Sequence, residues 1–491
     1  MNLASEFTAS ARRHRNVTAV FWGEEQFSYS HFLAQSAAVA AQLQTRFTVR
    51  PGDRVGIWLR NCPEFISALF GILRAGAVVV PINNFLKPDE VAYILADAGI
   101  DVLITDAGAD AAVAHLTATR PTLRPWRVED FPPADAPDVD GRPAMVTDEL
   151  AVIIYTSGTT GHPKGAMLSH ANLLHNVASC RRVLEAVQAD RFALVLPMFH
   201  SFMLTVCILL PLLVGGSIVL IKSLNQPKTL LHEITRHCAT ILPAIPQLFR
   251  ALTHVPPPDD LTLRLCISGS APLPAETLRA FSAHCAVPLL EGYGLSEASP
   301  VVALNPIHAP STPGSIGRPI PEVEITIRDD AGHELPDGQV GELCVRGGNV
   351  MLGYWNQPEA TATALRDGWL YTGDIGFRNP DGFFFITDRK KDMLLVNGNN
   401  VYSREIEEVI YQFPGVREAA VIGRPDPRRG EQPVAFVVMN DGERMDDATL
   451  IHFLRERLAD YKVPRHVVPV ANLPRNATGK ILKTALRALP A

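Results

Sequence analysis

Short, nearly continuous apolar runs alternate with amphipathic stretches over much of the chain, and few architectures accept that pattern. Arg54 to Leu59, Ala77 to Ile82 and Val102 to Thr105 read as strands, with helices expected at Pro63 to Ala75 and Pro88 to Asp97 between them. The rhythm resumes further on, with strands expected at Phe192 to Leu196, Ala239 to Leu242, Leu263 to Ile267 and Val287 to Leu290. Helices are expected there at Leu230 to His237, Pro246 to Leu252 and Pro274 to His284. Strands with apolar residues at consecutive positions must be buried on both faces, which a parallel sheet between helical layers provides. Ahead of them, Phe21 to Ser30 reads as a hairpin turning at Gly23-Glu24-Glu25, followed by a helix through Gln42.

Open parallel sheets hold their ligands beyond the carboxyl ends of their strands. Three polar loops fall at such ends: 156 to 165, 268 to 272 and 291 to 300. The first lies between an apolar run, Leu150 to Ile154, and a helical stretch, Ser169 to Ala186, and reads Thr156-Ser157-Gly158-Thr159-Thr160-Gly161-His162-Pro163-Lys164-Gly165. Glycines let backbone N–H groups turn inward, hydroxyls add donors and the lysine adds a mobile positive charge, so the loop is equipped for a polyphosphate. Its spacing is not that of the common nucleotide-triphosphatase loop, which needs four residues between its glycines and then Lys-Ser/Thr. Taken alone, a flexible surface turn is the alternative.

The uncharged segment Leu204 to Ile221 barely reaches spanning length, and Pro211 with Gly215-Gly216 divides it. A buried helix, a turn and a strand from Ser217 to Ile221 are expected instead of a membrane span. Net charge is −6 without a basic block, which argues against nucleic acid as a partner. Seven cysteines without a C-x-x-C pair read as small buried apolar groups in a reducing compartment, not as a disulfide framework or a zinc site. Met1 to Asn16 has arginines but no apolar core, so no secretory leader is expected and a soluble, cytoplasmic protein is.

Past residue 310 the pattern changes. Val323 to Arg328, Val340 to Arg346 and Phe383 to Thr387 read as short antiparallel strands. From Val401 on, helices (Ser403 to Phe413, Ala448 to Leu458) alternate with strands (Ala419 to Ile422, Val434 to Met439) in a compact α+β module. The charged junction Asp388-Arg389-Lys390-Lys391-Asp392 is a linker or hinge.

Other polar groups stand out beside the first loop. In Glu291-Gly292-Tyr293-Gly294-Leu295-Ser296-Glu297, the glycines permit close approach, Tyr293 can stack on a base, Ser296 can donate to a phosphate and Glu297 can hold magnesium. Tyr371-Thr372-Gly373-Asp374 can set a carboxylate on ribose hydroxyls. Lys480 follows Pro474 to Gly479 near the C-terminus, and His200 lies in Pro197-Met198-Phe199-His200-Ser201. Each has a plain structural alternative: a solvated turn, a surface lysine, a core histidine.

Together and in this order they resemble the adenylate-forming superfamily, which contains acyl-CoA synthetases, peptide-synthetase adenylation domains and beetle luciferases. The resemblance covers roughly residues 10 to 485, and includes Ser268-Gly269-Ser270-Ala271-Pro272, Gly341-Glu342-Leu343, Gly353-Tyr354 and Gly479-Lys480 besides the segments above. It implies an α/β fold: a large N-terminal domain (1–388) of two doubly wound, helix-covered sheets plus a small β-barrel, a hinge (389–392) and a small mobile α+β C-terminal domain (393–491). It implies a carboxylic acid attacking the α-phosphorus of Mg-ATP, release of pyrophosphate, and transfer of the acyl group to coenzyme A or to an acyl carrier protein.

By the same resemblance, Thr156, Ser157, Gly158, Thr159, Thr160, Gly161 and Lys164 hold the β- and γ-phosphates. Gly269, Ser270 and Ala271, with Glu291, Gly292, Tyr293 and Gly294, frame the adenine. Ser296 touches the α-phosphate, Glu297 and Thr156 serve magnesium, and Asp374 and Arg389 bind the ribose. Lys480 bridges the attacking carboxylate and the α-phosphate, with His200 a further catalytic candidate. Lys391 matches the hinge lysine, and Gly398 lies against the pantetheine arm when the module rotates. The stretch from Glu291 to Val301 looks most like bacterial fatty acyl-CoA ligases, so a medium- or long-chain fatty acid is the first expectation and an aryl acid such as a cinnamate the second. A catalytically silent nucleotide-binding protein is a remote alternative. A monomer or homodimer with peripheral membrane association at most is expected.

Overall fold

In the first sheet the strand order is Gly353–Tyr354, Lys164–Ser169, Leu150–Thr156, Val78–Pro81, Arg54–Ile57, Val102–Thr105, Arg124–Arg127. From Arg54–Ile57 the chain crosses to Val78–Pro81 on one side and later to Val102–Thr105 on the other, parallel in both cases. That reversal makes a switch point, where a crevice opens past the strand ends. Every residue of the two flanking strands is buried, as their unbroken apolar sequence requires. The computed structural model describes residues 2–134, 149–156, 163–222, 226–443, 445–475 and 480–489.

The second sheet has a parallel half: Thr18–Trp22, Ser217–Leu220, Arg191–Leu194, Ile241–Ala244, Leu265–Ser268 and Leu289–Gly294. Its switch point is at Arg191–Leu194, between Ser217–Leu220 and Ile241–Ala244. One hydrophobic core joins the sheets through helices Glu64–Arg74 and His170–Val183, to which Phe65, Phe70, Leu173 and Val177 contribute. Beyond Leu289–Gly294 the pairing turns antiparallel and runs on through Val301–Leu304, Ser315–Pro319, Phe384–Arg389, Trp369–Arg378, Gly341–Gly347 and Val323–Arg328. The short strands expected past residue 310 therefore form. They extend this sheet as a wing whose hydrogen-bonded path stays open among the described residues, where a small barrel was expected.

The uncharged run folds as anticipated. Met203–Leu209 and Leu210–Val214 make a helix, Gly215 ends it at φ +86, and Ser217–Leu220 follows as a strand. No helix among the described residues is long and apolar enough to cross a membrane. Several elements went unseen in the sequence, among them helix Leu3–Arg13, helix Asp110–Thr119 and the edge strand Arg124–Arg127. The first begins with a capping box on Asn2 and buries Leu3, Phe7 and Ala11, four residues apart on one face.

The C-terminal module is a five-stranded sheet. Strand alternation sends Ala419 and Val421 to one face, under helices Ser403–Ile410 and Asp447–Arg455, and Ala420 and Ile422 to the other, with Phe436, Leu473 and Leu486. At its junction with the larger domain, the Asp388 carboxylate accepts from the Ser403 amide at 2.6 Å and hydroxyl at 2.8 Å, and Lys483 lies 3.0 Å from Glu407. Burial works against the Lys483 charge, but Glu407 and Asp388 outweigh it and hold its pKa above the usual lysine value. Lys483→Met leaves the buried Asp388 and the partly buried Glu407 without their cation and is expected to destabilise the module by about 3 kcal/mol. Faster amide exchange confined to residues past 388 is the result that checks it.

Candidate active site

A cavity of about 780 Å³ opens between the two sheets, past the carboxyl ends of Val78–Pro81, Leu150–Thr156 and Leu265–Ser268. Its wall brings together Thr156, Ser268, Gly269, Ser270, Gly292, Tyr293, Gly294, Ser296, Glu297, His200, Arg389 and Lys480, residues spread over more than 300 positions. Gly294 is needed by contact: a Cβ there would overlap the Pro300 carbonyl, where the strand from Leu289 meets its antiparallel neighbour. The Ser268 hydroxyl is buried in this wall with no hydrogen-bond partner in the structure, which suits a polar ligand group.

Asp374 is the hub of one end. Its carboxylate accepts from the Tyr293 hydroxyl at 2.5 Å and forms an ion pair with Arg389, whose Nε lies 2.9 Å away. The two strands carrying Asp374 and Arg389 pair with these residues directly opposite, so register alone brings the charges together. Burial, reinforced by Asp374, holds the Tyr293 phenol well above its usual pKa, so it stays a donor. Asp374 likewise raises Arg389, against its burial.

Near Arg389, Glu297 Oε1 accepts from the Tyr354 hydroxyl at 2.9 Å and lies 3.4 Å from Thr156 Oγ1. Lys164 is in a strand rather than a loop, opposite Thr156, with Nζ 5.3 Å from the centre of the Tyr354 ring. Ser296 Oγ is 3.0 Å from Ser201 Oγ. Ser201 was not anticipated, since one serine in a buried turn carries no sequence signal; Tyr354 sat in a quoted motif without a role.

Lys480 projects into the cavity, which leaves it accessible surface although protein surrounds it. Burial and the nearby Arg389 charge bring its pKa down to about 8, with Asp374 acting the other way. His200 lines the cavity too. Its Nδ1 accepts from the Phe202 amide at 3.3 Å, placing the proton on Nε2, and burial lowers its pKa to about 4. It is a neutral donor at physiological pH and poorly suited to shuttling protons.

One stretch of the remaining lining is apolar: Cys180 and Val183 from helix His170–Val183, then Leu184, Val206, Val301 and Leu304; Asn83, Asp89, Glu90 and Tyr93 also line the cavity. Of the run 202 to 213, Phe202 and Val206 face the cavity while Met203, Leu204 and Cys207 to Leu212 are core.

Several expected site residues lie elsewhere. Glu291 does not line the cavity although alternation sets it on the side of Tyr293: its carboxylate is taken up by the Leu273 amide at 3.0 Å. Ala271, Lys164, Asp374 and Lys391 do not line the cavity, Asp374 lying behind Tyr293 and Arg389, and Gly398 occupies an exposed hairpin turn at φ +78. Ser157, Gly158, Thr159, Thr160 and Gly161 lie outside the described residues.

Residues 7–355 match the model of the AMP-binding enzyme family, and residues 405–480 match the AMP-binding enzyme C-terminal domain. The chain belongs to this family. It stands in the coenzyme A synthetase branch of the adenylate-forming superfamily. A feruloyl-CoA synthase of an Amycolatopsis species is 37% identical over 97% of this chain and 96% of its own. A long-chain-fatty-acid–CoA ligase of Bacillus subtilis is 36% identical over 99% and 94%. Among solved structures, ATP-bound MatB from Rhodopseudomonas palustris superposes with a TM-score of 0.92 at 33% identity, over 99% of this chain and 98% of that one.

Proposed function

We propose that the chain is an ATP-dependent acid–thiol ligase that activates an apolar monocarboxylic acid and passes the acyl group to coenzyme A. The observation that carries this reading is the composition of a single cavity: an uncharged lobe of Cys180, Val183, Leu184, Val206, Val301 and Leu304 together with polar Lys480, Arg389 and Glu297, the Arg389 guanidinium backed by Asp374. No cation lies among those lobe residues, so a second carboxylate on the acid would be buried unpaired. A medium- or long-chain fatty acid fits the lobe best. An arylcarboxylate comes second, favoured by the feruloyl-CoA synthase relative.

In the first step the acid's carboxylate oxygen bonds to the α-phosphorus of ATP as the bond to the pyrophosphate breaks. The acid is already ionised, so the site must align and neutralise charge instead of removing a proton. Lys480 supplies positive charge where the two anions meet, Asp374 with Tyr293 and Arg389 seats the ribose, and Thr156 with Lys164 takes the phosphate end. The hydroxyl of Thr156 and carboxylate of Glu297 are hard oxygen donors suited to magnesium shared with substrate phosphates, and the bound ion would offset phosphate charge. In the second step a thiol sulfur bonds to the acyl carbon and AMP leaves. Coenzyme A is the acceptor proposed, with the pantetheine of an acyl carrier protein as the other outcome.

The test is pyrophosphate release across fatty acids of increasing length and several aryl acids, with and without coenzyme A. Continuous turnover with an alkyl acid that requires coenzyme A is expected; release that stops after one equivalent points to a carrier protein. Cys180→Phe puts a ring into the lobe wall. It is expected to lower kcat/KM for a long alkyl acid by about tenfold or more and to leave the KM for ATP unchanged.

A further inference from the structure

Helix Ser403–Ile410 of the C-terminal module turns Arg404 and Glu408, one helical turn apart, against the N-terminal domain. Arg404 is 8% exposed. Its Nη1 donates to the Ile386 carbonyl at 3.0 Å, and its Nη2 faces Glu291 Oε1 at 3.7 Å without a hydrogen bond of its own. Glu408 accepts from the backbone amide of Ala275, the first residue of helix Ala275–His284, where an acid meets unpaired amides and the positive end of the helix dipole. Arg404 and Glu408 also face each other at 3.9 Å.

The far side of this contact leads to the nucleotide end. Glu291, 4% exposed, takes the Leu273 amide at 3.0 Å, and its strand pairs Glu291 with Ser268. The segment from Ser268 to Ala275 therefore lines the cavity with Ser268, Gly269 and Ser270, and at its other end is gripped by Glu291 and Glu408. One buried cluster touches both the cavity wall and the module that brings Lys480 into the cavity. Burial raises the Glu291 carboxyl to about 7 while Arg404 pulls it down, so its charge depends on the guanidinium opposite.

The geometry is that of a releasable contact. A tight bidentate pair would have both guanidinium nitrogens within hydrogen-bond range of the carboxylate. Here the approach is 3.7 Å, and desolvating the pair offsets much of its attraction, so separation is inexpensive. A module that must leave after the first step needs a contact of that kind.

We propose that Arg404 and Glu408 are positioning residues for adenylate formation, coupling through Glu291 and Ala275 the placement of the 268–275 segment to the module arrangement that inserts Lys480. Neither touches substrate. The inference rests on the two-step reading above and adds residues that act in one step and not in the other.

The test uses the full chain with Arg404→Gln, Arg404→Lys, Glu291→Gln and the Arg404→Gln/Glu291→Gln double variant. Acid-dependent ATP–pyrophosphate exchange reports the first step. Thioester formation from purified acyl-adenylate and coenzyme A reports the second. Exchange is expected to fall about tenfold in each Gln variant and no further in the double, while the second step stays within about twofold and Arg404→Lys recovers part of the loss. Equal losses in both steps would mean a merely structural contact and overturn the proposal, as would single losses that multiply in the double variant. A wild-type chain that catalyses neither step with any acid overturns the two-step reading and this inference with it; an active wild type with unsplit variants overturns the inference alone.

Discussion

Lys480→Ala is expected to lower acid-dependent pyrophosphate release by about 10²–10³-fold, the loss typical of removing one well-placed group from a charge-building transition state. The ammonium reaches the cavity near Arg389 and its partner Asp374. It faces the most negative species only while carboxylate oxygen and α-phosphorus approach each other, so its loss should appear in kcat more than in the KM for ATP. Thioester formation from ready-made acyl-adenylate should change little, since that step has no such meeting of anions. The charge also predicts a pH dependence with a definite sign. With its pKa brought down to about 8 by burial and Arg389, Lys480 in the unliganded enzyme is a cation below that value and neutral above it. The first step's kcat/KM should therefore fall as pH rises through about 8. Bound phosphates favour the cation, so the limb in kcat should lie higher than the limb in kcat/KM. A profile flat to pH 10, or an alanine variant that still adenylates at the wild-type rate, would remove Lys480 from the role.

How much of this was legible in the sequence depended on whether a property is local. The parallel sheets were, because Val78–Pro81 and Val102–Thr105 are apolar at every position and only two-sided burial explains that. Asp374 and Arg389 were both named, but their ion pair was not. It depends on strand register with an irregularity at Ile375/Gly376, which no spacing in the chain reveals. Glu291 was placed on the nucleotide because Gly292 and Tyr293 follow it. The two-residue period sets it on the side of Tyr293, and only the distant Leu273 amide and Arg404 draw its carboxylate away from the cavity, which no local spacing reveals. Helix Leu3–Arg13 was within reach: Asn2 followed by Leu3, Phe7 and Ala11 is a cap and an apolar stripe. Ser201 was not within reach, since its partner Ser296 is 95 residues away and nothing in either segment marks the pair.

The second large effect is expected at Asp374. Its carboxylate is the common partner of the Tyr293 hydroxyl and the Arg389 guanidinium, and its side chain is 3% exposed. Asp374→Ala leaves a cation and a phenol facing an empty space, a loss of about 3 kcal/mol by the usual cost of breaking one side of a buried pair. In ATP affinity that is roughly a hundredfold, because the groups left behind are those that line the cavity where the ribose is proposed to sit. Asp374→Asn separates the two contributions. The amide oxygen can still accept from Tyr293, while Arg389 loses its counter-charge, so a loss close to that of alanine would assign the effect to charge and a smaller one to geometry. Tyr293→Phe removes one hydrogen bond and no charge, and about 1 kcal/mol is expected from it. ATP titration calorimetry on the three variants measures the order Ala, Asn, Phe directly. If all three bind ATP as the wild type does, while Lys480→Ala still abolishes turnover, the Asp374 cluster holds the wing strands together and the ribose lies elsewhere along the same wall.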